Sequence, residues 1–457
     1  MNDLCERLAD WSATWNWNRL SEPAREMMRR LFLDTLGCAL GARDHPAVHQ
    51  SAVVARSITG LAVATGLGSG SRLSVLAATL DSGSAIRALD LNDFYWGPGQ
   101  GGHPSDIFAV AIAVAEETGA TVGDMLAAVA AGYEVYTRLG DLMPAGTNAW
   151  AWDHTTCCAM STALICGRLY GLDRTQLAEA LAIAAARSPV FSGLRAGRIS
   201  SAKAAVPALA QMDAFLATQL ARAGMTGPRE AIEGPRGLLA IVGPGSDIGH
   251  LLPSPEDEER VLAITIKRFP SMGTSQASTA AAVELHRRLG GNIAGIDKLT
   301  IRLSDAGIVQ RQTADVYRRP DRRETADHSF YALFAMALLD GRLEAAQFAA
   351  DRWKQPDALA VIDRMTLVPD LPGASEGVFS AIATAVLDNG ETVVVEMPYA
   401  PGHPRNPLDD VATAEKFRSF AEPVLGREGA GCVIDACGPA SDGRQVREIV
   451  SLLAAAQ

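Results

Sequence analysis

The sequence predicts a mainly α-helical protein, with a large all-helical domain formed by both chain ends plus a smaller inserted α+β domain. Three observations carry this. Alanine recurs at helical positions through the first half, as in SDIFAVAIAVAEE, DMLAAVAAGYEVY and CCAMSTALICGRLY, and small residues so spaced let helices approach closely. Strand-like runs gather only beyond about Leu252, and helical pattern returns after Pro407. The expected division is 1–264 for the helical domain, 265–400 for the insertion, and 401–457 for C-terminal helices that rejoin the first domain. With 457 residues, the chain is long enough for more than one core.

The elements follow in order. Ser21 or Glu22 flanks Pro23, which suits a first helical turn, and AREMMRRLFLDTLGCALG continues the helix to a glycine. Asp173 with Gln176 forms a capping box ahead of the helix LAEALAIAAAR. PSPEDEER is a polar boundary. Beyond it KLTIRLSD and RMTLVPD read as strands, and AIATAVL and ETVVVEM form a hairpin around Asn389-Gly390, which tolerate positive φ. SQASTAAAVELHRRLG and SFYALFAMALLDG are helices interleaved with these strands, and AEKFRSFAEPV and GRQVREIVSLLAAAQ are the returning helices.

Composition excludes several functions. The hydrophobic fraction is 48%, the charged fraction 20% and the formal net charge −11, with no Lys/Arg block, so a nucleic-acid partner is not expected. An anionic ligand would need local positive charge. No membrane association is expected either, since no apolar run approaches the roughly 18 residues of a spanning helix. MNDLCERLADW does not read as a signal peptide. The seven cysteines are odd in number and lack a C-x-x-C pair, which fits reduced thiols and a cytoplasmic location and disfavours a cysteine-bound metal. The glycines of GLGSGSRLSV and GPGQGG do not form a strand–GxGxxG–helix unit, and no GxxxxGK[ST] loop or HExxH motif occurs.

Five polar stretches hold candidate chemistry. In ALDLNDFYWGPGQGGHPSD (88–106), Asp90, Asn92, Asp93 and His103 lie close, and Pro104 places His103 at the start of a helix over 104–118. A helix N-terminus favours an anion, and a carboxylate beside an imidazole can transfer protons; the alternative is a loop whose Asp and His only cap backbone groups. In Trp152-Asp153-His154-Thr155-Thr156, Asp153 either orients a histidine or caps a helix. Lys203 lies in the small, apolar helical run RISSAKAAVPALAQ, where it either snorkels to solvent or is held in a cleft. Lys267 and Arg268 precede a helix capped near Thr274 or Ser275, and Asp327 and His328 precede a buried helix as possible caps.

Taken in order, these stretches resemble the 2-methylcitrate dehydratase (MmgE/PrpD) family, whose relatives include cis-aconitate decarboxylases and iminodisuccinate epimerases. The resemblance covers nearly the whole chain through DLND…GGHPSD, WDHTT with GLDRTQLAEALAIA, Lys203, ARAGMTGPREAIEGPRGLL, KRFPSMGTSQAS, RETADHS with LLDG, and GHPRNPL. It implies a helical domain with an α+β lid, no metal or organic cofactor, a homodimer, and a small carboxylate substrate. By the same resemblance Asp90, Asp93, His103 and His154 are catalytic, and Lys203, Lys267, Thr274 and Tyr331 bind substrate. Three positions depart from the family pattern: Phe94 replaces a threonine, Thr274 a histidine, and Ala332 a tyrosine, with Tyr331 one residue earlier. One helical residue turns a side chain by about 100°.

The implied activity is a cofactor-independent hydro-lyase that dehydrates a 2-methylcitrate-like hydroxy polycarboxylate. The alternatives are a decarboxylase or epimerase on the same fold, or a non-catalytic carboxylate binder. His103 and His154 would serve as base and acid, in an order the sequence leaves open.

Overall fold

The computed structural model describes residues 3–454, apart from 144–151, 196–197, 255–256, 258 and 374–376. Helices fill the first 250 residues: Glu22–Gly41, Val75–Ala88, Phe108–Thr118, Val122–Leu142, Thr156–Leu169, Arg174–Arg187 and Val206–Arg222 are the long inner ones. Their ends obey local chemistry. The Ser21 side chain accepts from Ala24 N–H with Pro23 in the first turn. Asp173 and Gln176 form the reciprocal capping box.

The first core joins both ends of the chain. Phe32, Leu126, Ile165, Phe417, Val433 and Ile449 belong to one buried apolar cluster. The C-terminal contribution comes from Asp410–Ala436 and Val446–Ala454. Asp410–Ala436 breaks at Gly426, where φ is 71°, three residues after Pro423; a left-handed residue there requires glycine.

A second core lies entirely between Phe269 and Ala400 and includes Leu285, Ile301, Phe334, Trp353 and Val395. Helix Gln276–Arg288 covers a mixed sheet, and Phe330–Asp340 packs on that helix. Two tiny strands of the helical part, β1 (Ala64–Thr65) and β2 (Arg72–Leu73), pair with each other. The sheet of the insertion has β3 (Ile296–Leu303), β4 (Met365–Val368), β5 (Ala381–Leu387) and β6 (Thr392–Met397) in the order β4-β3-β5-β6. β4 runs parallel to β3, whereas β5 is antiparallel to both β3 and β6. The β5–β6 hairpin turns through Asn389-Gly390, with Gly390 at φ 83°. Alternating burial along β5 (Ala381, Ala383 and Ala385 inward) follows from the two-residue period of a strand.

The two passages between these cores lie side by side. Phe94 and Thr265 exchange backbone hydrogen bonds at 2.8 and 2.9 Å, and Ile266 N–H donates to the Gly402 carbonyl at 3.2 Å. Lys267 therefore enters the helical half directly beneath the seam. No helix among the described residues is long and apolar enough to cross a membrane.

Candidate active site

The site is organised by Asp90, which follows the helix Val75–Ala88 with φ at 51°. A non-glycine residue held there is strained by about 1–3 kcal/mol and persists only when its surroundings over-determine it. Three cations do so. Arg87 Nη1 lies 2.8 Å from Asp90 Oδ1. Lys267 Nζ donates to both the Asp90 carbonyl and Oδ1 at 2.6 Å. Lys203 Nζ is 3.5 Å from Oδ2. Behind the loop, Lys416 Nζ donates to the Leu91 carbonyl at 3.2 Å and pairs with Asp34 at 2.5 Å.

Asp327 and His328 complete the cluster from the insertion. Both Asp327 oxygens accept from Lys203 Nζ at 2.8 Å, and His328 Nδ1 meets Asp327 Oδ1 at 2.5 Å. The expectation that these two residues cap the next helix is corrected, because Ser329 caps it through Ala332 N–H. Lys203 differs too. It sits in a 3-10 turn, Ser201–Ala204, ahead of the helix Val206–Arg222, and it is 1% exposed. It does not snorkel.

Electrostatics follow from burial. Although burial opposes ionisation, Arg87, Lys267 and Lys203 hold Asp90 well below the usual carboxylate range. Burial, partly offset by Asp90, lowers Lys267 to about 8. Asp90, Asp327 and His328 offer ligand atoms within 4.8 Å of one another. A divalent cation there would displace ammonium groups already seated on both carboxylates. With neutral imidazoles, Arg87, Lys203 and Lys267 outnumber Asp90 and Asp327 by one charge. The local field favours an anion.

The imidazoles of His103 and His154 stand beside this cluster, their ring centroids 5.0 Å apart and their planes at 76°. His103 begins the 3-10 turn Pro104–Ile107, which leads into Phe108–Thr118, and its side chain makes no cap bond. Its Nδ1 lies 2.6 Å from the Asp93 carbonyl. A carbonyl only accepts, so Nδ1 carries the proton and Nε2 is a free base, 3.9 Å from Asp90 Oδ1. The Tyr136 hydroxyl accepts from His103 N–H at 3.1 Å and meets His154 Nδ1 at 3.0 Å. When that hydroxyl donates to His154 Nδ1, the His154 proton sits on Nε2. Burial, reinforced by Arg87 and Lys267, holds His103 well below the imidazole range. Burial also outweighs Asp153 and lowers His154 to about 3. Both rings are neutral at pH 7. Gly102 makes their approach possible, since a Cβ there would lie 2.5 Å from the Tyr136 hydroxyl and 2.9 Å from the His154 Cβ.

Not every expected site residue faces this space. The Asp93 carboxylate turns into the helical core, where it accepts from Ser105 N–H at 3.0 Å and the Tyr133 hydroxyl at 2.8 Å. Burial raises it to about 6, and only its backbone carbonyl serves His103. Asp93 is a positioning residue. Tyr331 is buried in the core of the insertion beneath Arg318, whose guanidinium carbon is 4.9 Å from the ring centre, and has no hydrogen bond to the cluster. Thr274 is buried in the turn Gly273–Ser275, and its side chain has no hydrogen bond to the cluster among the described residues. The Phe94 ring lies against Gly273, 6.0 Å from His103 and 6.1 Å from Phe379 of the insertion. Arg87 and Tyr136 were not expected, and Asp327 and His328 were read from the sequence as possible helix caps. Arg87 had one usable signal, a charge three residues before Asp90 in an otherwise small-residue helix; Tyr136 had none.

Comparison with known proteins places these residues in a family. The MmgE/PrpD N-terminal domain matches residues 6–250, and the MmgE/PrpD C-terminal domain matches 269–437. The chain belongs to the MmgE/PrpD family. It is 25% identical over 423 residues to the 2-methylcitrate dehydratase of Cupriavidus necator, covering 87% of this chain and 85% of that protein. It is 24% identical over 431 residues to the 2-methylcitrate dehydratase of Escherichia coli (strain K12), covering 88% and 87%. Similarity to the cis-aconitate decarboxylase of Mus musculus is 24% over 432 residues, covering 90% and 85%. Membership of this enzyme family supports catalysis in the broad sense, on a small carboxylate.

Proposed function

We propose that the chain is a cofactor-independent hydro-lyase that dehydrates a small hydroxy polycarboxylate of the 2-methylcitrate type. The observation that carries this is a pair of neighbouring neutral imidazoles: His103, held at Nδ1 by the Asp93 carbonyl, offers a lone pair at Nε2, and His154, when Tyr136 donates to its Nδ1, offers a proton at Nε2. His103 Nε2 takes the proton from the carbon next to a carboxylate. The electron pair moves into the new carbon–carbon double bond, and the hydroxyl on the adjacent carbon leaves as water with the proton from His154, which is made good by the proton that His103 has taken up. The carboxylate beside the reacting carbon gains negative charge as the proton leaves, and the surplus cation of the Arg87–Lys203–Lys267 group stabilises that charge. Each proton-transfer group typically contributes about 10²–10⁴-fold. The names of the similar dehydratases support the substrate class.

The test is incubation with 2-methylcitrate, citrate and cis-aconitate. Dehydration gives ultraviolet absorbance from a conjugated alkene. Release of CO2 would replace the proposal with decarboxylation, and α-proton exchange with deuterated water without net conversion would replace it with epimerase chemistry. Thermal stabilisation by these acids with no chemistry would leave a binder.

A further inference from the structure

A second cationic group stands near His154, joined to it through Asp153. Arg195 ends the turn Ser192–Arg195, and its Nε donates to Asp153 Oδ2 at 2.6 Å. Asp153 Oδ1 accepts from Thr155 N–H at 3.0 Å and from the Thr155 hydroxyl, and it lies 3.8 Å from His154 Nε2. Arg195 Nη1, Arg195 Nη2 and His154 Nε2 are all buried without a hydrogen-bonded partner.

That pattern is unusual for a structural ion pair. Arginine normally engages a carboxylate through two parallel N–H groups; here it engages through Nε, and both terminal nitrogens are left over. A buried donor without an acceptor is costly, more so when charged, so several clustered around one carboxylate need an explanation. The side chain as a whole keeps 15% of its surface, while the two terminal nitrogens are shut off from solvent.

We infer that Arg195 is a substrate-binding residue whose Nη1/Nη2 edge receives a carboxylate beside His154 Nε2. The Arg87–Lys203–Lys267 group would hold a second carboxylate on the Asp90 side, so the substrate class is a polycarboxylate with acid groups flanking the reacting carbons. Asp153 is the positioning residue for both Arg195 and His154. The inference rests on the functional reading above, in that it takes the ligand to be a polycarboxylate.

The test is a ligand-and-residue cycle. Propane-1,2,3-tricarboxylate and pentanedioate, which lack the leaving hydroxyl, are titrated calorimetrically into the parent, Arg195→Gln and Arg195→Lys, with folding checked by circular dichroism and melting. Arg195→Gln should weaken the tricarboxylate about tenfold or more and shrink the parent's preference for it over the dicarboxylate. Arg195→Lys keeps a charge next to Asp153 without the fork, so it should stay folded and fall between the two. On an identified substrate, KM should rise more than kcat falls. If the parent prefers the tricarboxylate and either folded variant keeps that preference undiminished, Arg195 does not bind the ligand and the inference alone is overturned. If the parent binds neither acid, the polycarboxylate reading falls first and this inference with it.

Discussion

Replacing Lys203 with Met deletes one ammonium from a place where water cannot substitute for it. Lys203 and Asp327 are each 1% exposed, and both Asp327 oxygens take a 2.8 Å bond from the same nitrogen. The variant leaves a buried carboxylate beside His328, with the Asp90 carboxylate also nearby. Breaking a buried pair in this way costs about 3–5 kcal/mol. Asp327→Asn should cost a similar amount, because it strands the ammonium. The double variant removes both charges, so it should be more stable than the sum of the singles implies, by on the order of 1–3 kcal/mol. Urea unfolding followed by tryptophan fluorescence at pH 7 measures all four proteins. The pH dependence has a definite sign. Lys203 and His328 keep Asp327 below its usual range against the opposing effect of burial. Its stabilising contribution is therefore present above the unfolded value of about 3.9 and is lost as pH falls through the folded value. The deficit of Lys203→Met relative to the parent should be largest near neutrality and shrink in acid. Single variants that each cost less than about 1 kcal/mol and add without coupling would refute this reasoning.

Other outcomes follow from the same geometry. His103→Asn keeps an N–H for the Asp93 carbonyl but cannot accept a proton at neutral pH. It should fold normally and lose about two orders of magnitude or more in turnover; parental turnover would show that His103 is not the base. Since Lys267 is lowered to about 8 and is cationic only below that value, kcat/KM should fall as pH rises through about 8, and Lys267→Arg should move the limb upward. A limb at the ordinary lysine value of about 10.4 contradicts this. Phe94→Thr removes an apolar wall beside His103, so the kcat/KM ratio of 2-methylcitrate to citrate should drop about tenfold; an unchanged ratio would show that the ring does not contact the methyl group. Turnover should survive EDTA and dialysis, and restoration of lost activity by a divalent metal would disprove the metal-free mechanism.

The fold was legible where local chemistry is strong. The Asp173 capping box, Pro23 in a first turn and the Asn389-Gly390 hairpin each need only neighbouring residues, and their elements stand where those signals point. The site was legible in part, through segments that carry histidines and lysines. What the chain pattern hid is distance: Lys203 and Asp327 are 124 positions apart, and nothing near either one specifies the partner. Lacking that partner, Lys203 reads locally as either a snorkelling residue or a cleft cation, and Asp327 as a cap. The Asp93 carboxylate misleads in the opposite way, since proximity in sequence to Asp90 says nothing of which face it takes. Asp90 at φ 51° points its carboxylate at the cations while Asp93 turns inward to Ser105 and Tyr133.

Lys416 has a consequence in time. The loop that carries Asp90 is tied at Leu91 by a lysine synthesised 325 residues later. At ribosomal rates of about 5–20 residues per second, that is an interval of roughly 15–65 s. Until the helix Asp410–Ala436 docks, Asp34 faces the core with no ammonium to answer it, and the strained turn at Asp90 lacks one of its ties. The insertion, whose apolar cluster draws only on its own stretch of chain, can collapse during that interval. The support that Lys416 gives the Asp90 loop thus arrives after the insertion has been made.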